Sequence, residues 1–212
     1  MKPASAGTGR LRAVRGDLRG TRPVRTPADY TRQLDSGIRS IVIDADEDEW
    51  FDLGTIPAGM HVRISGHTCA AVTAAAPGAV TATGNSFVQA FGDTTVTAYA
   101  NAHIEAFDTA AVQAHGSAVI VGNDHARIRA DNHTLVYAHH HCHILAAGQA
   151  VIAAAHNTAV HISTPTHRDD HTQLWATPHT ALTGTPDVLT LAITDSPILA
   201  LSQRIRRKMM TQ

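Results

Sequence analysis

Fifteen of the 212 residues are histidine, and His125, His133, His139, His140, His141, His143 and His156 crowd into one zone. Imidazole holds transition metals and titrates near neutral pH, so this zone is where chemistry is first sought. His125 and His141 are sixteen residues apart, as are His140 and His156. Asp108 and Asp124 continue the second series at the same spacing, and Asp124 offers a carboxylate. The candidate metal ligands are therefore His125, His141, His140, His156 and Asp124, with Zn²⁺ or Ni²⁺ as the expected ion. Such a centre would support hydrolysis or hydration; the alternative is that histidine simply suits these turn and ladder positions.

Other constellations carry less. Ser117 has His115 and His125 nearby in sequence but no evident orienting acid. His167 and His171 form a His-x-x-x-His pair too common to weigh. The run from Asp44 to Glu49 tempts a calcium reading, but the loop would need Gly and Glu where Glu49 and Thr55 stand. A threonine ladder for ice binding starts at Thr73, Thr81 and Thr97, and Gln89, Glu105 and Gln113 interrupt it. No glycine-rich phosphate loop stands between a strand and a helix.

The elements that would position these groups are legible from a repeat. Steps of eight from Ile64 reach Val72, Val80, Val88, Val96, Ile104, Val112, Ile120, Ile128, Val136, Ile144, Ile152 and Val160. Two places on from each stands Ala or Gly, except for Ile162, and six places on stands a small residue. Thirteen octads thus fill residues 64–167. The unit reads Val-x-Ala-x-(Gly/Asp/Asn/His)-x-small-x. Its first and third places share strand parity, and turn formers gather at the fifth and sixth. One octad cannot bury its own apolar face, but stacked octads can, which is a β-solenoid. Cys142 falls on a small inward place and reads as core.

Exterior residues give the coil length, because stacked coils align like with like. At a period of sixteen, Phe91 meets Phe107, Val119 meets Leu135 and Val151, and Asn85 meets Asn101. At twenty-four, Phe91 meets His115 and Val119 meets His143. The expectation is an all-β, flattened two-sheet solenoid with two octads per coil and small α/β caps at both ends. With ~4.8 Å between strands the stack is roughly 30 Å long. Stacked imidazoles would then lie about 5 Å apart.

The octad resembles the Val-x-Ala-x-(Gly/Asp)-Ser-Ala-Thr repeat proteins of actinobacteria and their phages. Val88–Thr95 and Val112–Val119 carry the resemblance best. It covers about half of the chain and implies no activity.

The flanks divide the rest. Residues 1–25 hold seven Lys or Arg against Asp17 and read as a flexible basic tail, with polyanion contact as the sharper option. Residues 26–63 read as a cap: Thr26-Pro27-Ala28-Asp29 starts a helix, Gly37 ends it, and Ile41-Val42-Ile43 is a strand. An acidic hairpin turn follows, and Trp50, Phe51 and Leu53 are expected to cover the first coil. Residues 168–212 read as a second cap, with a strand at 188–193 and an amphipathic helix carrying Ile198, Leu201, Ile205 and Met209. That stripe suits a two-fold dimer.

Composition bounds the function. A net charge of -1 excludes a uniformly basic nucleic-acid binder, and two cysteines exclude a disulfide scaffold. No membrane span and no signal peptide is visible, so a cytoplasmic protein is expected. The function expected is a non-enzymatic scaffold or protein-interaction module, with Phe91, Phe107 and Tyr99 as its binding face. A metal-binding solenoid is the alternative, and a self-assembling filament the second alternative.

Overall fold

The computed structural model describes residues 22–163, 171–184 and 189–193. One helix, α1 (Pro27–Asp35), precedes the strands β1 (Ser40–Ala45), β2 (Trp50–Asp52), β3 (His61–Gly66), β4 (Cys69–Val72), β5 (Val80–Ala82) and β6 (Phe87–Ala90). Then come β7 (Thr95–Ala98), β8 (His103–Ala106), β9 (Ala111–Ala114), β10 (Val119–Gly122), β11 (Arg127–Ala130) and β12 (Leu135–Ala138). The last are β13 (His143–Ala146), β14 (Val151–Ala154), β15 (Ala159–Ile162), β16 (Thr172–Ala176), β17 (Ala181–Gly184) and β18 (Leu189–Ile193). Odd-numbered strands form one nine-stranded sheet and even-numbered strands another. Every strand pairs in parallel with the next of its own sheet, so each coil gives one strand to each sheet. This is a flattened two-sheet β-solenoid. Among the described residues no helix is long and apolar enough to cross a membrane.

The octad explains each coil. Its first and third places point between the sheets, and all thirteen Val and Ile of the eight-residue series are buried. Alanine or glycine at the third place lets the sheets approach. A Cβ on Gly122 would lie 2.5 Å from Ile128 Cδ1 and 3.2 Å from Cys142 Sγ. The fifth place is a left-handed residue in ten successive turns from Gly84 to His156, with φ between 53° and 73°. That conformation is steric strain for most residues but tolerable for Gly, Asn, Asp and His, which is why those types recur there. Ala100, with φ 57°, is the exception.

The seventh place is small because it turns inward at the edge of the sandwich. Where it carries a hydroxyl, that hydroxyl donates to a backbone carbonyl: Thr158 Oγ1 to Ala155 O at 2.7 Å and Thr68 Oγ1 to Ala45 O at 3.2 Å. Ser86 breaks the rule; its Oγ is buried and has no partner among the described residues. Ser86→Ala is therefore expected to stabilise the protein by about 1 kcal/mol, since it removes an unsatisfied polar group. A thermal melt reads this as a rise of roughly 2–4 °C, and a lowered midpoint would show that the hydroxyl is bonded after all.

Strand pairing corrects the phase of the repeat at its start. From β5 and β6 to β14 and β15 the register is sixteen, as in Val80↔Val96 and Ile144↔Val160. Earlier it is eighteen: Ile64 pairs with Ala82 and Val72 with Ala90. Both shifts have one origin, the longer turn between β4 and β5, which contains Pro77-Gly78. Ile64 and Val72 thus belong to the alanine columns, and both remain buried because a shift of two preserves parity. A second insertion, between β15 and β16, makes the register twenty-two, as in Val151↔Gln173. The repeat then resumes with Leu174 and Ala176 inside.

The sheets also run beyond residues 64–167. Strands β1 and β2 pair in register with β3 and β4, and β16 to β18 extend the other end. Because β1 and β2 lie in opposite sheets, the acidic turn between them is a coil corner and not a hairpin. Phe51 and Leu53 are core, but Trp50 points out, 46% exposed, against Phe87 with ring centroids 6.1 Å apart. Helix α1 starts as expected: Thr26 Oγ1 accepts from Asp29 N at 3.3 Å. Its Tyr30 is buried. Val24 is fully buried and bridges Ile43, so the fold reaches into the stretch expected to be tail. Residues 1–21 and the apolar stripe of Ile198, Leu201, Ile205 and Met209 lie outside the described residues, as does His167.

Candidate functional site

A flattened coil has two edges. Turns that leave the even sheet form one edge, and turns that leave the odd sheet form the other. Residues eight apart fall on opposite edges; residues sixteen apart stack on the same one. This rule sorts every candidate.

The first edge carries Phe91, Phe107, Asp108, Asp124, His125, His139, His140, His141 and His156. Phe91 and Phe107 stack with centroids 4.9 Å apart and planes 9° from parallel. His125 and His141 stack at 5.3 Å and 10°, and His140 and His156 at 5.5 Å and 20°. The ladder spacing is thus as expected. The ligand geometry is not. A metal bonds imidazole through a lone pair in the ring plane, at about 2.0–2.1 Å. Nearly parallel stacked rings keep those lone pairs from converging on one point. Asp124 does not join them either: its Oδ2 accepts from Asp108 N at 3.4 Å, one coil back. Asp108 does the same for Gly92 N at 3.1 Å. These carboxylates cap backbone N–H groups of left-handed turns. Among the described residues no group of three or more His, Cys, Asp or Glu is placed to hold a metal ion.

The histidines do form a cluster. His139 lies 6.3 Å from His140 and 6.4 Å from His156, ring centre to ring centre. Burial lowers its pKa, and the like charges of His140 and His156 lower it further. His140 and His156 occupy the left-handed place of their octads, with φ 59° and 60°. Cys142 is core, as expected; its Sγ donates to His139 O at 3.0 Å, and burial pushes the thiol up to about 11. A thiol held protonated there is a packing group.

The second edge carries Tyr99, His115, Ser117, Asp131 and His133. Tyr99 therefore does not share a face with Phe91 and Phe107, and the expected three-residue binding face separates into two edges. Tyr99, 45% exposed, stacks on His115 at 5.1 Å. His115 Nδ1 meets Asp131 Oδ2 at 2.8 Å. So His115 has an orienting acid, sixteen residues on and one coil away, beyond its sequence neighbours. His125 stands on the opposite edge from Ser117. The threonine ladder shrinks to the paired Thr81 and Thr97 on the odd sheet, since Gln89 and Glu105 sit on the even one.

No protein-family model, curated protein or solved structure matches the chain.

Proposed function

We propose that this chain is a non-enzymatic scaffold that offers the Phe91–Phe107 edge of a rigid solenoid to a protein partner. The observation that carries this is the fixed exterior ladder. The interior is filled by side chains from both sheets, so recognition falls to outward residues. Those residues are held in register by parallel pairing on both sides. Two stacked phenylalanine rings on a preorganised edge cost little further entropy when a partner covers them. Aromatic anchors of this kind dominate many interfaces.

The test is capture of partners from the source cells on immobilised protein. The double variant Phe91→Ala, Phe107→Ala is expected to lose about tenfold or more in affinity, roughly 1.4 kcal/mol, with the fold retained. Tyr99→Ala, on the opposite edge, should bind like the wild type. Equal recovery of the same partner by all three proteins would sink the proposal.

A further inference from the structure

The outer face of the odd sheet is basic from β3 onward. From β3 to β17 its outward positions include Arg63, Arg127, Arg129, His143 and His161, and no Asp or Glu. Over β9 to β17 the face forms a shallow groove of about 530 Å³. Arg127, Arg129, His143 and His161 rim it, and Leu145 and Ala159 lie on its floor. Arg127 and Arg129 are exposed, neighbours on one strand, and make no ion pair among the described residues. Two unpaired guanidinium groups over an apolar floor call for an occupant with carboxylates beside an apolar side chain.

The chain carries such an occupant. The corner between β1 and β2 presents Asp46, Glu47, Asp48 and Glu49, all exposed and none in an ion pair among the described residues, followed at once by exposed Trp50. It cannot reach the groove of its own molecule. Five to seven strand intervals separate β1 from β11 and β15 in the odd sheet, and at ~4.8 Å each that is roughly 24–34 Å. A second copy has no such limit.

We infer that the groove over β9 to β17 receives the acidic Asp46–Trp50 corner of another copy of this chain. The four carboxylates face Arg127 and Arg129, and Trp50 supplies the apolar group for the floor. The two surfaces are different patches, so the contact is head-to-tail and each added copy leaves one groove and one corner free. This rests on the reading of the solenoid as an interaction scaffold and names the occupant of one face.

Sedimentation velocity on the full chain, over a wide concentration range, tests it. The wild type should grow beyond the monomer as concentration rises and return to it in high salt, because exposed charge pairs are screened. Arg127→Glu with Arg129→Glu should abolish the growth, and so should Asp46→Lys with Glu47→Lys and Asp48→Lys. All five positions are exposed, and circular dichroism confirms that each variant is folded. Mixing the two reversed proteins pairs a reversed groove with a reversed corner and should restore a heteromeric complex. A wild type that stays monomeric overturns the inference, as does growth that survives either reversal, or a mixture that fails to associate. None of these outcomes touches partner capture at the Phe91–Phe107 edge, so the two readings fail separately.

Discussion

Val136→Asp is expected to abolish the native fold. Val136 is fully buried between the sheets and pairs with Ile120 on one side and Ile152 on the other. A carboxylate there would sit in the continuous core of buried alanine and branched aliphatic side chains from both sheets. Burying it costs on the order of 5 kcal/mol even if it takes up a proton. Domains of this size are stable by only about 5–15 kcal/mol in total. Thermal and urea melts should show either no cooperative transition or a midpoint far below that of the wild type. Gln113→Asp, an exposed outward place on β9, should stay within about 0.5 kcal/mol of the wild type. Equal effects for the two variants would mean that the inward parity assigned to the octad is wrong.

The same parity shows how far the fold could be read from the residues. Val136, Ile120 and Ile152 recur at a spacing that only stacked strands satisfy, and the match of Phe91 with Phe107 at sixteen residues is the coil length that the strand register shows. Ile64 and Val72 misled for a physical reason. First and third places both face inward, so a two-residue insertion beside Pro77 exchanges their columns without exposing either one. No hydrophobicity pattern can report such a shift; only strand register can. The six-residue insertion after β15 hid Leu174 and Ala176 in the same way, because stepping by eight loses phase there. The site was less legible, since residues eight apart look alike in sequence but turn to opposite edges. That alternation separates Tyr99 from Phe107. It also explains why His115 finds its acid at Asp131, a full coil away, and why imidazoles one coil apart stack face to face.

Acidification should destabilise the protein through its histidines. Burial lowers the pKa of His139, with repulsion from His140 and His156 added to it. Burial likewise lowers the pKa of His103, against an opposing pull from Glu105; His103 Nε2 is buried without a partner among the described residues, and the ring packs edge-on to Phe87 at 5.1 Å. Both imidazoles are thus kept neutral in the folded chain at pH values where they would be charged in the unfolded one. The unfolded state binds more protons once the pH drops below about 6.5, the ordinary imidazole value. Stability therefore holds above that value and is lost progressively as the pH falls from it through the lowered folded values. Asp108 and Asp124, on the same edge, cap backbone N–H groups of the preceding coil. Melting midpoints measured from pH 8 to pH 5 should be flat at the upper end and fall below about 6.5. His139→Asn removes the most crowded imidazole of the cluster and should flatten part of that fall. A midpoint that rises on acidification would mean that the cluster gains protons on folding, and that His139 faces a carboxylate rather than two further imidazoles.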